Sequence, residues 1–113
     1  MHELGLCDAV VRMMDSILEE ENMKGANKIV LEIGELSGVV EHFMKDSWIA
    51  VTARTKYEST KLQIEMVPGF ARCIDCGAEF RVVACDFRCP ACSGEKLMPI
   101  SGTDMMIKQI EAY

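Results

Sequence analysis

The sequence predicts an α+β fold, a small mixed or antiparallel sheet with two helices, interrupted by an inserted cysteine-rich module. Three observations predict it. Two stretches, one at the N-terminus and one near the middle, carry apolar residues at helical spacing. Three further stretches read as strands, and the last of them comes only at the C-terminal end. Between the second and third strands the periodicity disappears, and five of the six cysteines collect there. The simplest arrangement returns the final strand to the sheet made by the first two, so that the cysteine segment is an insertion.

From Leu4 to about Asn22 the apolar side chains fall at Leu4, Cys7, Val10 or Val11, Met14, Ile17 and Leu18, one stripe of an amphipathic helix. Glu19-Glu20-Glu21 is its solvated face, and Lys24-Gly25-Ala26-Asn27 stops it with Gly25 near the C-cap. Lys28 to Gly34 alternates, with Ile29, Leu31 and Ile33 on one face and Lys28, Val30 and Glu32 on the other. Ser37-Gly38 marks a turn. A second helix is expected from about Glu41 to Tyr57, with Phe43, Ser47, Ala50 and Arg54 on one stripe and Met44, Trp48 and Val51 on the next. Lys61 to Val67 alternates again, with Leu62, Ile64 and Met66 inward, and Pro68-Gly69 ends it. After Ser101-Gly102, Met105 to Glu111 is the last strand. The expected division is a discontinuous domain of residues 1–69 and 101–113, with a second domain at 70–100.

A chain of 113 residues supports only a modest core. Its longest apolar runs, such as Ile29-Val30-Leu31, fall far short of the ~20 residues that span a bilayer. The opening residues lack the basic and apolar regions of a signal peptide, so a cytoplasmic protein is expected. A net charge of −6 argues against general affinity for nucleic acid or for an anionic membrane, since both need a positive field.

In a reducing compartment, clustered cysteines bind metal or do chemistry rather than form disulfides. The stretch CIDCGAEFRVVACDFRCPAC holds two C-x-x-C pairs, Cys73/Cys76 and Cys89/Cys92, twelve residues apart. Each pair aims two sulfurs at one point, and two such turns supply the four thiolates that a closed, tetrahedral zinc site takes. Gly77 and Pro90 suit tight knuckles, and Phe80, Val82 and Val83 are strand material for a hairpin between them. The module is therefore zinc-ribbon-like, with a structural Zn²⁺ that folds a segment almost without a core of its own. Cys85 could replace Cys89 as a ligand in an uneven set, but the pairing favours reading it as a small residue of the hairpin; Cys7 reads as core. Arg72, Arg81, Arg88 and Lys96 balance Asp75, Glu79, Asp86 and Glu95, so metal and thiolates leave the module negative, unlike a nucleic-acid-binding ribbon.

Met1-His2-Glu3 is a second candidate. The Met1 amine, the His2 backbone nitrogen and the His2 imidazole close fused chelate rings on one metal, and the Glu3 backbone nitrogen or another donor can complete a plane. Such a nitrogen-rich square plane suits Ni(II) or Cu(II), not Zn²⁺. Because His2 is bulky, Met1 is expected to stay on the chain. A surface histidine by chance is the plainer reading of these residues alone. His42 is either a second donor or, the plainer reading, a polar residue near the start of the second helix.

Taken together, the initial MHE, the GELSGV at residues 34–39 and the paired CIDC and CPAC resemble the HypA/HybF family of nickel metallochaperones. The resemblance runs in order over essentially the whole chain. It implies a protein that is not an enzyme. It implies Ni²⁺ cargo at the N-terminus, with His2 as the essential side chain beside the Met1 amine and the Glu3 backbone, and zinc on Cys73, Cys76, Cys89 and Cys92. It implies delivery to the [NiFe]-hydrogenase large-subunit precursor, in some organisms also to urease, together with a maturation GTPase (HypB). The zinc module here contains no histidine, a departure that leaves a pH response through zinc-side histidines outside what the resemblance carries over. A monomer or a homodimer fits, since a final strand crossing past an insertion can exchange between chains. Two other classes remain in view. A zinc-ribbon interaction module without a nickel role calls for a basic face. An enzyme with Cys7 or Cys85 as nucleophile needs a base, and only His2 and His42 are at hand.

Overall fold

A computed structural model describes residues 2–113. In chain order the elements are α1 (His2–Glu20), β1 (Ala26–Gly34), α2 (Glu41–Thr52), β2 (Lys61–Val67), β3 (Phe70–Cys73), β4 (Glu79–Arg81), a 3-10 turn (Val83–Cys85), β5 (Leu97–Pro99) and β6 (Met105–Ala112). They build two three-stranded sheets, ordered β2-β1-β6 and β4-β3-β5. The last strand does return to the first sheet across the inserted cysteine segment.

α1 starts at His2, two residues before the expected Leu4. Glu3 lies in its first turn, where a carboxylate opposes the positive end of the helix dipole. The buried stripe is Glu3, Cys7, Val10, Met14 and Leu18, while Ile17 is 38% exposed. Asn22, not Gly25, closes the helix. It takes a left-handed φ of 56°, and the Met23 N–H reaches back to the Leu18 carbonyl at 2.8 Å, a Schellman ending. Gly25 answers to packing instead, because a Cβ there would lie 2.7 Å from the Tyr113 hydroxyl.

α2 stops at Thr52, five residues before the expected end. The Thr52 hydroxyl donates to the Trp48 carbonyl at 2.6 Å and the Thr55 hydroxyl to the Thr52 carbonyl at 2.7 Å. These local bonds compete with the helical ladder. Arg54 then turns to a φ of 62°, and its N–H donates to the Glu58 carboxylate at 2.9 Å. The inward stripe is Met44, Ser47, Trp48 and Thr52, and Phe43 points outward at 52% exposure.

At one end of the first sheet the Thr60 hydroxyl donates to the Ala26 carbonyl at 2.7 Å; at the other the Glu35 N–H donates to the Val67 carbonyl at 2.9 Å. β2 therefore runs parallel to β1, with α2 as the crossover between them. β6 runs antiparallel, since the Tyr113 N–H reaches the Gly25 carbonyl at 3.0 Å and the Gly34 N–H reaches that of Asp104 at 2.8 Å. The sheet is mixed. Being central, β1 is buried on both faces, Val30 as well as Ile29, Leu31 and Ile33. β2 is an edge strand, so Leu62 and Ile64 are only half-buried and Met66 is exposed.

The described chain divides into two compact units. One takes the chain up to Glu32, Val39–Glu65 and Met106–Tyr113; the other takes Ile33–Gly38 and Met66–Met105. The first has an apolar core that includes Cys7, Val10, Met14, Leu18, Ile29, Leu31, Met44 and Trp48. The second is built on β3, whose Arg72 lies opposite Glu79 of β4 and Met98 of β5. The expected hairpin strand ends early, at Arg81, because the chain turns at Val82 into the 3-10 segment and leaves Val83 exposed. Within this unit Glu35 joins Arg81 in a charge-assisted pair and accepts the Gly69 N–H at 3.0 Å. Gly102, at a φ of 74°, packs so closely that a Cβ would lie 2.6 Å from the Gly69 Cα. No helix among the described residues is long and apolar enough to cross a membrane.

Candidate metal centres

The two C-x-x-C turns are built alike. In the first, the Gly77 N–H donates to the Cys73 carbonyl at 2.8 Å and the Cys73 N–H to the Ala78 carbonyl at 2.8 Å. In the second, the Ser93 N–H donates to the Cys89 carbonyl at 2.8 Å and the Cys89 N–H to the Gly94 carbonyl at 2.9 Å. Each knuckle turns back at a left-handed residue in the corresponding place, Gly77 at a φ of 79° and Ser93 at 62°. This folding aims the four sulfurs of Cys73, Cys76, Cys89 and Cys92 at one point.

Those sulfurs all lie within 4.8 Å of one another. They pair across the knuckles, Cys73 with Cys92 at 3.6 Å and Cys76 with Cys89 at 3.4 Å. A tetrahedron of thiolates at the usual Zn–S distance of ~2.3 Å has edges of about 3.8 Å, so the cluster fits a zinc site. Cys73 and Cys89 are buried, Cys76 and Cys92 exposed. The sulfurs sit on a core of Ala71, Cys73, Phe80, Val82 and Cys89, with Leu36, Ala78, Cys85 and Leu97 packed against it. Cys85 is thus beside that core and outside the quartet. Gly94 leaves room for the cluster, since a Cβ there would lie 3.2 Å from the Cys92 sulfur and 3.4 Å from that of Cys73.

The thiols do not ionise alike. Burial pushes the Cys89 thiol up, but the N–H groups of Cys92 and Ala91 and the neighbouring thiols outweigh it and bring it down to about 7. The Gly94 N–H favours a thiolate at Cys92, yet the thiols of Cys73 and Cys76 push that group up to about 12. Four thiolates together need the charge of a cation.

The N-terminal candidate is open. His2 is the first residue of α1, and its side chain is 62% exposed; its Nδ1 lies 3.9 Å from a carboxylate oxygen of Glu3, whose side chain is only 12% exposed. The first N–H groups of a helix have no partner within it, so the His2 and Glu3 backbone nitrogens are not committed to the α1 ladder. Met1 lies outside the described residues. Glu3 also does what spacing does not predict. Its own N–H and that of Val40, the latter at 3.3 Å, hold its carboxyl below the usual carboxylate range. Sequence offers one hint of this: Val40, at the start of α2, has no acceptor on its side chain. His42 is exposed and faces Asp46 at 3.3 Å, a surface pair one turn apart. Cys7 is buried, with its sulfur 3.6 Å from the Met44 carbonyl, and burial and then Glu3 push its thiol up to about 11, far from a nucleophile.

The family model described as "Hydrogenase/urease nickel incorporation, metallochaperone, hypA" matches residues 1–112. The chain belongs to the HypA family. Among relatives, it is 35% identical over 114 residues to hydrogenase maturation factor HypA of Geobacter metallireducens and 32% identical over 111 residues to that of Beijerinckia indica, covering 98% of both chains in each case. The solution structure of the nickel metallochaperone HypA from Helicobacter pylori superimposes with a TM-score of 0.69 at 17% identity, over 97% of this chain and 96% of that one. A second HypA solution structure gives 0.69 at 18%, over 100% and 97%. These structures show the same fold. HypA-family proteins are metallochaperones for nickel incorporation and not enzymes, so the chemistry to be explained is holding and handing over a metal.

Proposed function

We propose that this chain carries Ni²⁺ at its N-terminus, on the Met1 amine, the His2 backbone nitrogen and imidazole and the Glu3 backbone nitrogen, and delivers it for [NiFe]-hydrogenase maturation. The observation that carries this reading is His2 as the exposed first residue of a helix, in a family of nickel-incorporation factors. A site made mostly of terminal backbone is suited to transfer. It holds metal through several modest bonds, an acceptor can displace them one at a time, and acid competes by protonating the imidazole. By the Irving–Williams order copper binds such donors more tightly, so selectivity rests on metal supply and on partners.

In this reading Cys73, Cys76, Cys89 and Cys92 hold a structural Zn²⁺. Its closed set of four thiolates leaves no position for cargo. The residues divide by task into a nickel domain of 1–69 and 101–113 and a zinc domain of 70–100. The acceptor is the hydrogenase large-subunit precursor, with urease as a second possible client, and the maturation GTPase HypB works beside the carrier in the cytoplasm as a monomer or homodimer.

The test is Ni(II) titration, by calorimetry and absorption, of the untagged protein, His2→Ala and a form with one residue added before Met1. Both altered forms are expected to lose the tight, square-planar nickel complex. Undiminished binding by both would overturn the terminal site and leave the zinc ribbon as an interaction module.

A further inference from the structure

We propose that the Glu3 carboxylate is a positioning residue for the terminal chelate, because it caps the N-terminus of α2 from the neighbouring helix. The inference rests on the nickel reading above and concerns the side chain of Glu3, whereas the chelate uses its backbone.

α2 begins without the usual cap. In a capping box the first residue supplies a hydroxyl and the residue three places on sends a Glu or Gln back to the first residue's N–H. Here those positions are Val40 and Phe43, and neither side chain can accept. The acid and the imidazole between them face the other way, Glu41 toward Lys45 at 4.0 Å and His42 toward Asp46 at 3.3 Å. The acceptor at the Val40 N–H is Glu3, at 3.3 Å and from 37 residues away in sequence. One helical turn further on, Cys7 lies 3.6 Å from the Met44 carbonyl and 3.9 Å from its sulfur, again 37 residues apart. Two rungs of equal offset set the first turns of α1 and α2 side by side, and Glu3 is the outer rung.

Helix ends fray unless something holds them. The His2 and Glu3 nitrogens proposed to bind nickel sit in the first turn of α1, so the Glu3–Val40 bond keeps them in one arrangement before metal arrives. A preorganised site loses less freedom on binding and releases its ligand more slowly.

The test uses full-length, zinc-loaded protein with its native N-terminus, as wild type, Glu3→Gln, Glu3→Ala and His2→Ala. Amide exchange at residues 40–44 is recorded without nickel, and Ni(II) affinity and release to a chelator are recorded separately. Glu3→Ala is expected to speed exchange at the start of α2 and to weaken nickel binding roughly fivefold, the worth of a typical lost cap. Glu3→Gln keeps an acceptor and should restore most of both. Unchanged exchange in Glu3→Ala overturns the proposal, even if nickel weakens, because Glu3 would then act on the metal directly. Faster exchange with unchanged nickel affinity and release also overturns it, because the cap would be structural only. Native-like nickel binding by His2→Ala brings down the nickel reading itself, whatever Glu3 does.

Discussion

Cys7 in the first unit and Cys89 in the second are buried almost equally, at 0% and 2% exposure. Their thiols nevertheless move in opposite directions. Burial and then the Glu3 charge push Cys7 up to about 11, while at Cys89 burial is outweighed by backbone N–H groups of the knuckle together with the neighbouring thiols, which bring it down to about 7. Desolvation alone disfavours the charged form; hydrogen bonds to that form reverse the outcome. The contrast separates the two units as wholes. The first treats a cysteine as one more small apolar residue in a core with Val10, Met14 and Leu18. The second has a core of five residues, two of which are cysteines of the quartet.

On the zinc reading proposed above, the strongest way to break that contrast is to remove the metal from the second unit. Chelation of zinc, or Cys73→Ala, is expected to abolish exchange protection in β3, β4 and β5 while α1, β1 and α2 keep theirs. Structural zinc contributes on the order of 10 kcal/mol in small metal-folded modules, and the buried core here is only five residues, two of them quartet cysteines. Cys7→Ala should leave zinc content at its native value. Retained protection in the stripped second unit would mean that its small core suffices. Native mass spectrometry reads metal content, and exchange with mass detection reads protection.

The converse experiment attacks the first unit. Met14 is fully buried. Met14→Ala should cost about 2–5 kcal/mol, as large-to-small core changes do. Chemical denaturation followed by Trp48 fluorescence measures the loss, and zinc content should stay unchanged. A variant that lost its zinc as readily as it lost stability would show that the two units do not fold by separate means.

The legibility of the sequence follows the same division. The convergence of the four quartet cysteines was readable because C-x-x-C spacing encodes the geometry directly, knuckle by knuckle. The stripe Cys7, Val10, Met14 and Leu18 was readable because a helix repeats at a fixed period. What escaped depends on partners distant in sequence or on side chains acting locally. The exposure of Met66 follows from the place of β2 at a sheet edge, which period-2 alternation does not contain. The early end of α2 comes from hydroxyls at Thr52 and Thr55 bonding within one turn. β5 is three residues long and ends in Pro99, too short for a pattern. The tie from Glu3 to Val40 spans 37 residues and leaves only the missing cap as a trace.

A smaller effect is expected at Glu35. Hydrogen bonds from Arg81 and then from the Gly69 N–H hold its carboxyl at about 2, against an ordinary 4.5. The folded state therefore favours the ionised form. Its contribution is complete above pH 4.5, shrinks as pH falls, and is gone below about 2. Glu35→Gln removes it at every pH, so zinc should leave this variant at a higher pH during acid titration than it leaves the wild type. The first unit should unfold unchanged. Identical zinc-release curves would mean that the Glu35–Arg81 pair does not support the ribbon, as is common for half-exposed ion pairs.

The smallest and most discriminating change lies within the second unit, between its two knuckles. Gly77 and Ser93 hold equivalent left-handed positions, at φ values of 79° and 62°. A non-glycine residue in that conformation costs about 1–2 kcal/mol, and glycine returns about 0.5–1 kcal/mol of that through its freer unfolded chain. Ser93→Gly should therefore stabilise the zinc-loaded ribbon by under ~1 kcal/mol, and Gly77→Ser should destabilise it by a similar amount. Combining them should return close to the wild-type value, because the hydrogen bonds to the Cys73 and Cys89 carbonyls match. Zinc competition against a chromogenic chelator reads all three. If Ser93→Gly weakens zinc binding, the Ser93 side chain does work that its backbone position does not explain, and the two knuckles are not equivalent.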